Sequence, residues 1–107
     1  MPTTTRPASA AAGDLATWTF LTNHAHVLLC LAGDPGLRVR DIAERVGITE
    51  RAILRILHDL VDAGYLARER DGRRTHYGLR LDRPMRHPVE ATFSVRIMVE
   101  ALARASR

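Results

Sequence analysis

The stretch LRVRDIAERVGITERAILRILHDLVDAGYL, residues 37–66, constrains the fold more than any other part of the chain. Ile42, Ala43 and Val46 give one apolar face to a short helix over 39–46. Gly47 follows where the chain must leave that helix, because glycine tolerates a left-handed backbone. Ile48 is apolar within the turn. Thr49 is then a good N-cap for a longer helix, with Glu50 beside the positive end of its dipole. That second helix is expected to bury Ile53, Ile56 or Leu57, Leu60 and, at its margin, Val61, and to close at Gly64.

Tyr65–Arg70 and Thr75–Leu81 flank Asp71-Gly72, a strong hairpin signal. In the second arm Tyr77, Leu79 and Leu81 alternate with His76, Gly78 and Arg80, as in a half-buried strand. Pro84 and Pro88 interrupt an extended connection. A final helix is expected over about 89–104, with Val89, Phe93, Ile97, Met98, Ala101 and Leu102 as its apolar stripe. Upstream, Leu15, Trp18, Leu21, Ala25, Leu28, Leu29 and Ala32 recur at helical spacing from Asp14, a plausible N-cap. Thr22 and Asn23 suit caps better than a helix interior, which divides this pattern into a short helical lead-in and a helix over about 23–32. Gly33-Asp34-Pro35-Gly36 stops it. Residues 1–13 are polar, small and Pro-interrupted, and read as a disordered tail.

The expected fold is mainly α with a small β-hairpin: a winged helix-turn-helix plus a C-terminal dimerisation helix. The winged unit would span 14–83, with the helix-turn-helix at 39–63 and the wing at 65–81. The last helix lies within 84–107. A chain of 107 residues has room for one such domain. The single cysteine, Cys30, excludes an intrachain disulfide framework and a cysteine-cluster metal site. No apolar run reaches the ~20 residues of a membrane span, and the opening residues lack the apolar core of a secretion signal. A soluble cytoplasmic, nucleoid-associated protein with no membrane partner is expected.

Charge indicates a partner. The net charge is +4, and all sixteen basic residues are arginine. GC-rich coding accounts for the missing lysine, so position carries the information. Residues 65–88 hold seven arginines against three acids, a local +4 equal to the whole surplus. An excess gathered beside a hairpin is either a footprint for a polyanion or a solvated turn.

The segment VRDIAERVGITERAILRILHDLVDAGYLARERDGRRTHYGL, 39–79, resembles the winged-helix core of bacterial MarR- and ArsR-like transcriptional regulators. The matching features are Ile42-Ala43, Val46-Gly47-Ile48-Thr49, the Leu57/Leu60 pair, Gly64-Tyr65-Leu66 and the Arg/Gly-rich wing. WTFLTNHA (18–25) and RHPVEA (86–91) resemble short regulators from GC-rich bacteria. The resemblance implies operator binding by a homodimer on a palindromic double-stranded site, with the longer helix in the major groove. Thr49 to Arg55 would be the reading turn. With the apolar residues inward, Glu50, Arg51, Leu54, Arg55 and His58 face out. Arg51 would make the base contact, because an arginine can grip guanine with two hydrogen bonds. Arg55 holds phosphate. Leu54 either meets a thymine methyl or makes a second core contact, and Glu50 reads cytosine or only serves the dipole. In the wing, Arg68, Arg70, Arg73 and Arg74 contact phosphate or the minor groove, and His76 adds a donor. Arg38 and Arg40 would precede the propping helix and anchor backbone phosphates. Arg40 stands where the family commonly has a Ser or Thr cap, which leaves the start of that helix open.

Trp18 and Phe20 would join Val89, Phe93, Ile97, Met98, Ala101 and Leu102 in a dimer interface. The alternative is that both terminal helices only complete the monomer core. His24 and His26, two apart, sit on opposite sides of a helix and suit a cap or core role better than a shared metal. Cys30 reads as a small buried apolar residue. No pairing of nucleophile and base and no phosphate-binding glycine loop marks an enzyme, and no cofactor is expected. A small-molecule effector near Trp18, Phe20, the histidines at 24 and 26 or the dimer seam is permitted by the sequence but not indicated. The rival reading is a winged-helix protein-interaction module that does not bind DNA.

Overall fold

The structure is a computed structural model that describes residues 18–105. The tail over 1–13, Asp14 as a cap and the start of the lead-in lie outside the described residues. The described part of the lead-in, 18–22, is not helical, because Thr22 is spent as the cap of the helix that starts at Asn23. Among the described residues, four helices and one hairpin follow in order: α1 (Asn23–Gly33), α2 (Val39–Val46), α3 (Glu50–Asp62), β1 (Leu66–Asp71), β2 (Arg74–Leu79) and α4 (Val95–Ala105). This is a winged helix.

Local chemistry sets the boundaries. Thr22 caps α1 by accepting from the Ala25 amide at 3.2 Å, and Thr49 caps α3 by accepting from Ala52 at 3.1 Å. α2 begins after Arg38, not at a Ser or Thr. Its opening turn is held by the Asp41 carboxylate, which accepts from the Arg38 amide at 3.2 Å. Arg40 therefore lies inside the first turn of α2. Gly47 ends that helix at φ 86°, and its amide and that of Ile48 both reach the Ala43 carbonyl.

The hairpin is antiparallel, pairing Leu66 with Leu79 and Asp71 with Arg74. Its two-residue loop is Gly72-Arg73, one position later than the Asp71-Gly72 signal. Only Gly72 takes a positive φ, 65°, the pattern of a type II′ turn. Leu66, Arg68 and Arg70 share one face with Thr75, Tyr77 and Leu79. Glu69, Asp71, Arg74 and His76 share the other.

The core joins every helix to the hairpin base. Val27, Leu28 and Leu31 of α1 meet Ile42, Ala43 and Val46 of α2 and Ile53, Ile56, Leu57 and Leu60 of α3, with Tyr65, Leu66, Leu81, Val95 and Val99. Both Ile56 and Leu57 are buried, and Val61 is partly so. Cys30 is only half-buried, on the edge of this core; burial pushes its thiol pKa up, and nearby Arg45 partly offsets that.

The last helix departs from expectation. It starts at Val95, not near 89, because residues 81–96 spend their backbone groups elsewhere. Val95 N donates to Arg83 O and Arg96 N to Leu81 O, while Met85 N donates to Phe93 O. Glu90 N to His87 O and Phe93 N to Glu90 O close tight turns between them. Its core face is accordingly Val95, Met98 and Val99, and Val89 and Phe93 precede the helix. Arg96 fixes the junction, donating to both Asp82 carboxylate oxygens at 2.6 and 3.0 Å and to Glu100 at 3.0 Å. Asp82 is thereby held below the usual carboxylate range.

Candidate nucleic-acid interface

α3 presents two chemically opposite faces. Ile53, Ile56, Leu57 and Leu60 are buried, whereas Glu50, Arg51, Leu54, Arg55 and His58 are exposed. The cap on Thr49 fixes the first turn of this outward face. Leu54 is 53% exposed, so it does not make a second core contact. Arg51 and Arg55, one turn apart, are both exposed, and each carries five guanidinium donors.

In the wing, Arg68, Arg70, Arg73 and Arg74 are all exposed, with Arg73 in the loop. His76 is half-buried opposite Glu69, its Nε2 3.8 Å from the carboxylate. Arg74 is not free-standing: its Nη2 donates to the Gly36 carbonyl at 3.0 Å, tying the hairpin to the turn between α1 and α2. Arg38 and Arg74, assigned from sequence to different elements, line one recess of about 230 Å³ with Leu37, Val39, Ile42 and Tyr77. Arg40 is exposed on α2.

All but one of the apolar residues assigned to an interface remain on the surface. Trp18, Phe20, Val89, Phe93, Ile97 and Leu102 stay exposed, and Trp18 packs edge-on against Phe20 at 5.0 Å. Ala101 is exposed, and Met98 packs partly against the core.

Sequence reasoning missed two features. His24 is neither a cap nor a core residue; its Nε2 pairs with Asp59 at 2.9 Å, joining α1 to the far end of α3. The hydrogen bond lowers the Asp59 pKa. A pair separated by 35 residues leaves no periodic trace. Beside it lies a cavity of about 530 Å³. Its wall is mostly apolar, including Leu28, Leu60, Tyr65 and Met98, with His24, Asp59, Arg86 and His87 among its polar groups. His26 meets Asn23 within the first turn of α1, at 3.1 Å. Among the described residues, no three His, Cys, Asp or Glu side chains gather as metal ligands, and no helix is long and apolar enough to cross a membrane.

A helix-turn-helix followed by a cationic hairpin occurs in more than one group of regulators, and comparison with known proteins decides between them. A model of the MarR family matches residues 19–74, more than half of the chain. The protein belongs to the MarR family. That family comprises transcriptional regulators, not enzymes. Among solved structures, the chain is similar to the Mycobacterium tuberculosis MarR family protein RV2887 in complex with salicylic acid. The two share 28% identity over 92% of this chain and 67% of that one, with a TM-score of 0.51. MepR, a transcription regulator of the Staphylococcus aureus multidrug efflux pump MepA, shares the fold at 19% identity, with a TM-score of 0.53 over 92% of this chain and 69% of MepR. The PcaV transcriptional regulator from Streptomyces coelicolor, with its natural ligand, is 33% identical over 56% of this chain and 45% of its own, with a TM-score of 0.49. The chain thus spans about half the length of PcaV. No curated protein gives a significant match.

Proposed function

We propose that this MarR-family protein is a sequence-specific DNA-binding transcriptional regulator that acts as a homodimer on a palindromic operator. The observation that carries the reading is the outward face of α3. Two arginines stand exposed there on a helix whose opposite side is wholly committed to the core. α3 enters the major groove, with Arg51 on a base edge and Arg55 on phosphate. The wing arginines, led by Arg73, lie on the flanking backbone or minor groove, and Arg38 and Arg40 anchor phosphates beside α2. Trp18, Phe20, Phe93, Ile97 and Leu102 form the seam with a second copy, spacing the two α3 helices by about one DNA turn, roughly 34–36 Å. The setting is the cytoplasm of a bacterium, at the nucleoid.

Titration with a selected duplex and with mixed duplex at several salt concentrations tests this. Arg73→Ala weakens binding to both and flattens the salt slope by about one unit. Arg51→Ala chiefly erodes the preference for the selected site. Salt-insensitive binding would instead favour the protein-interaction module, and equal losses on both duplexes would remove Arg51 from its role.

The cavity beside His24 and Asp59 favours one addition: a small molecule bound there modulates the regulator. RV2887 holds salicylic acid, which makes salicylate the first probe. A melting temperature unmoved by saturating salicylate would count against that ligand.

A further inference from the structure

Leu54 stands apart from every other exposed large apolar residue. Among the described residues the others are Trp18, Phe20, Val89, Phe93, Ile97 and Leu102, all in the lead-in or the C-terminal segment. Leu54 alone projects from the helix-turn-helix, and it lines neither the recess beside Arg38 nor the cavity beside His24. Its neighbours on the helix surface are Glu50 one turn before, Arg51 three residues before and His58 one turn after, all exposed. An aliphatic side chain held among polar and ionic ones loses no core packing when it changes, so its worth depends on what meets that face.

We propose that Leu54 reads the C5-methyl group of a thymine. This rests on the reading of α3 as the helix in the major groove. Base edges there offer hydrogen-bond donors and acceptors and one apolar feature, the thymine methyl. Leu54 has neither donor nor acceptor, so among the base edges of the major groove the thymine methyl is the largest apolar group it can meet without stranding a polar atom. Arg51 and Arg55, both exposed on the same helix, draw it to a polyanion, which brings the leucine into contact. The charged residues then set affinity for DNA, and Leu54 sets a preference for thymine at one position of each half-site.

The test begins with half-sites selected from random-sequence duplex by the wild-type protein. Each thymine of the selected half-site is replaced in turn by uracil, which pairs identically but lacks the methyl. Replacement at one position weakens wild-type binding about fourfold, the worth of one buried methyl group. L54A binds the thymine and uracil duplexes alike. L54M, which keeps an apolar reach, retains the penalty, and all three proteins share one salt slope because no charge has changed. A uniform tolerance of uracil by the wild type, or an equal penalty in L54A, overturns the assignment while leaving DNA binding intact. Failure of the wild type to retain any duplex overturns the regulator reading and this one together.

Discussion

Leu57→Ala removes three carbon atoms from a side chain that is 1% exposed and touches both the α2 side of the core and the recess behind the wing. The transfer contribution is about 2.4 kcal/mol, at about 0.8 kcal/mol for each carbon group. Incomplete collapse around the void adds about 1 kcal/mol, so the expected loss is about 3–4 kcal/mol. For a domain of this size each kcal/mol lowers Tm by about 4–8 °C, which places the variant more than about 12 °C below the wild type. Leu54→Ala, one turn away in the same helix, is the internal control. Its side chain is 53% exposed, and alanine's better helix propensity offsets part of the loss. Its cost is about 0.5 kcal/mol or less. Urea unfolding followed by far-UV circular dichroism compares the two at one fixed protein concentration, since self-association adds to apparent stability. If the two variants unfold within about 1 kcal/mol of each other, the division of α3 into a structural and a reading face is wrong.

Arg74→Ala cuts the link to the Gly36 carbonyl and should speed amide hydrogen exchange across β2, whereas Arg73→Ala should not; identical exchange in both would make the link unimportant. Because Asp82 titrates below its ordinary 3.8, its pairing stabilises the fold fully above that value and loses effect as pH falls through the lowered pKa. Asp82→Asn should therefore melt below the wild type near pH 6, with the gap closing below about pH 4, and a gap unchanged in acid would refute the assignment. Ile97→Asp places a charge on an exposed apolar surface of α4 and should give a smaller species in sedimentation with an unaltered circular dichroism spectrum; an unchanged mass would remove α4 from the subunit seam. Cys30, its thiol pushed up by burial, should react with a thiol reagent near neutral pH more slowly than free cysteine does, and an equal rate would contradict that shift.

The middle of the chain was legible because its signals are local and agree with one another. Gly47 and Thr49 each mark a helix end by their own backbone or hydroxyl chemistry, and the spacing of Ile53, Leu57 and Leu60 fixes which side of α3 is buried. The outward arginines followed from that face by subtraction. The segment after the wing was misjudged for the converse reason. Val89 and Phe93 continue an apolar spacing into α4, but the amides that would have built a helix there are committed to turns, and Met85 pairs with Phe93 across the loop. Spacing cannot register that competition. The same blindness applies to His24 with Asp59 and Arg74 with Gly36, whose partners are set by how α1, α3 and the hairpin meet, not by any neighbour in sequence.

The crossing of Leu81–Arg83 with Val95–Arg96 pins both ends of the loop between them, and Arg96 locks the join through Asp82. Lengthening a loop whose ends are fixed costs little entropy. Residues 86–92, between the paired Met85 and Phe93, can accordingly grow, shrink or change chemistry without shifting the helices on either side. Since Arg86, His87 and Glu90 form part of one wall of the cavity, that wall is open to redesign on its own, leaving the outward surface of α3 as it is.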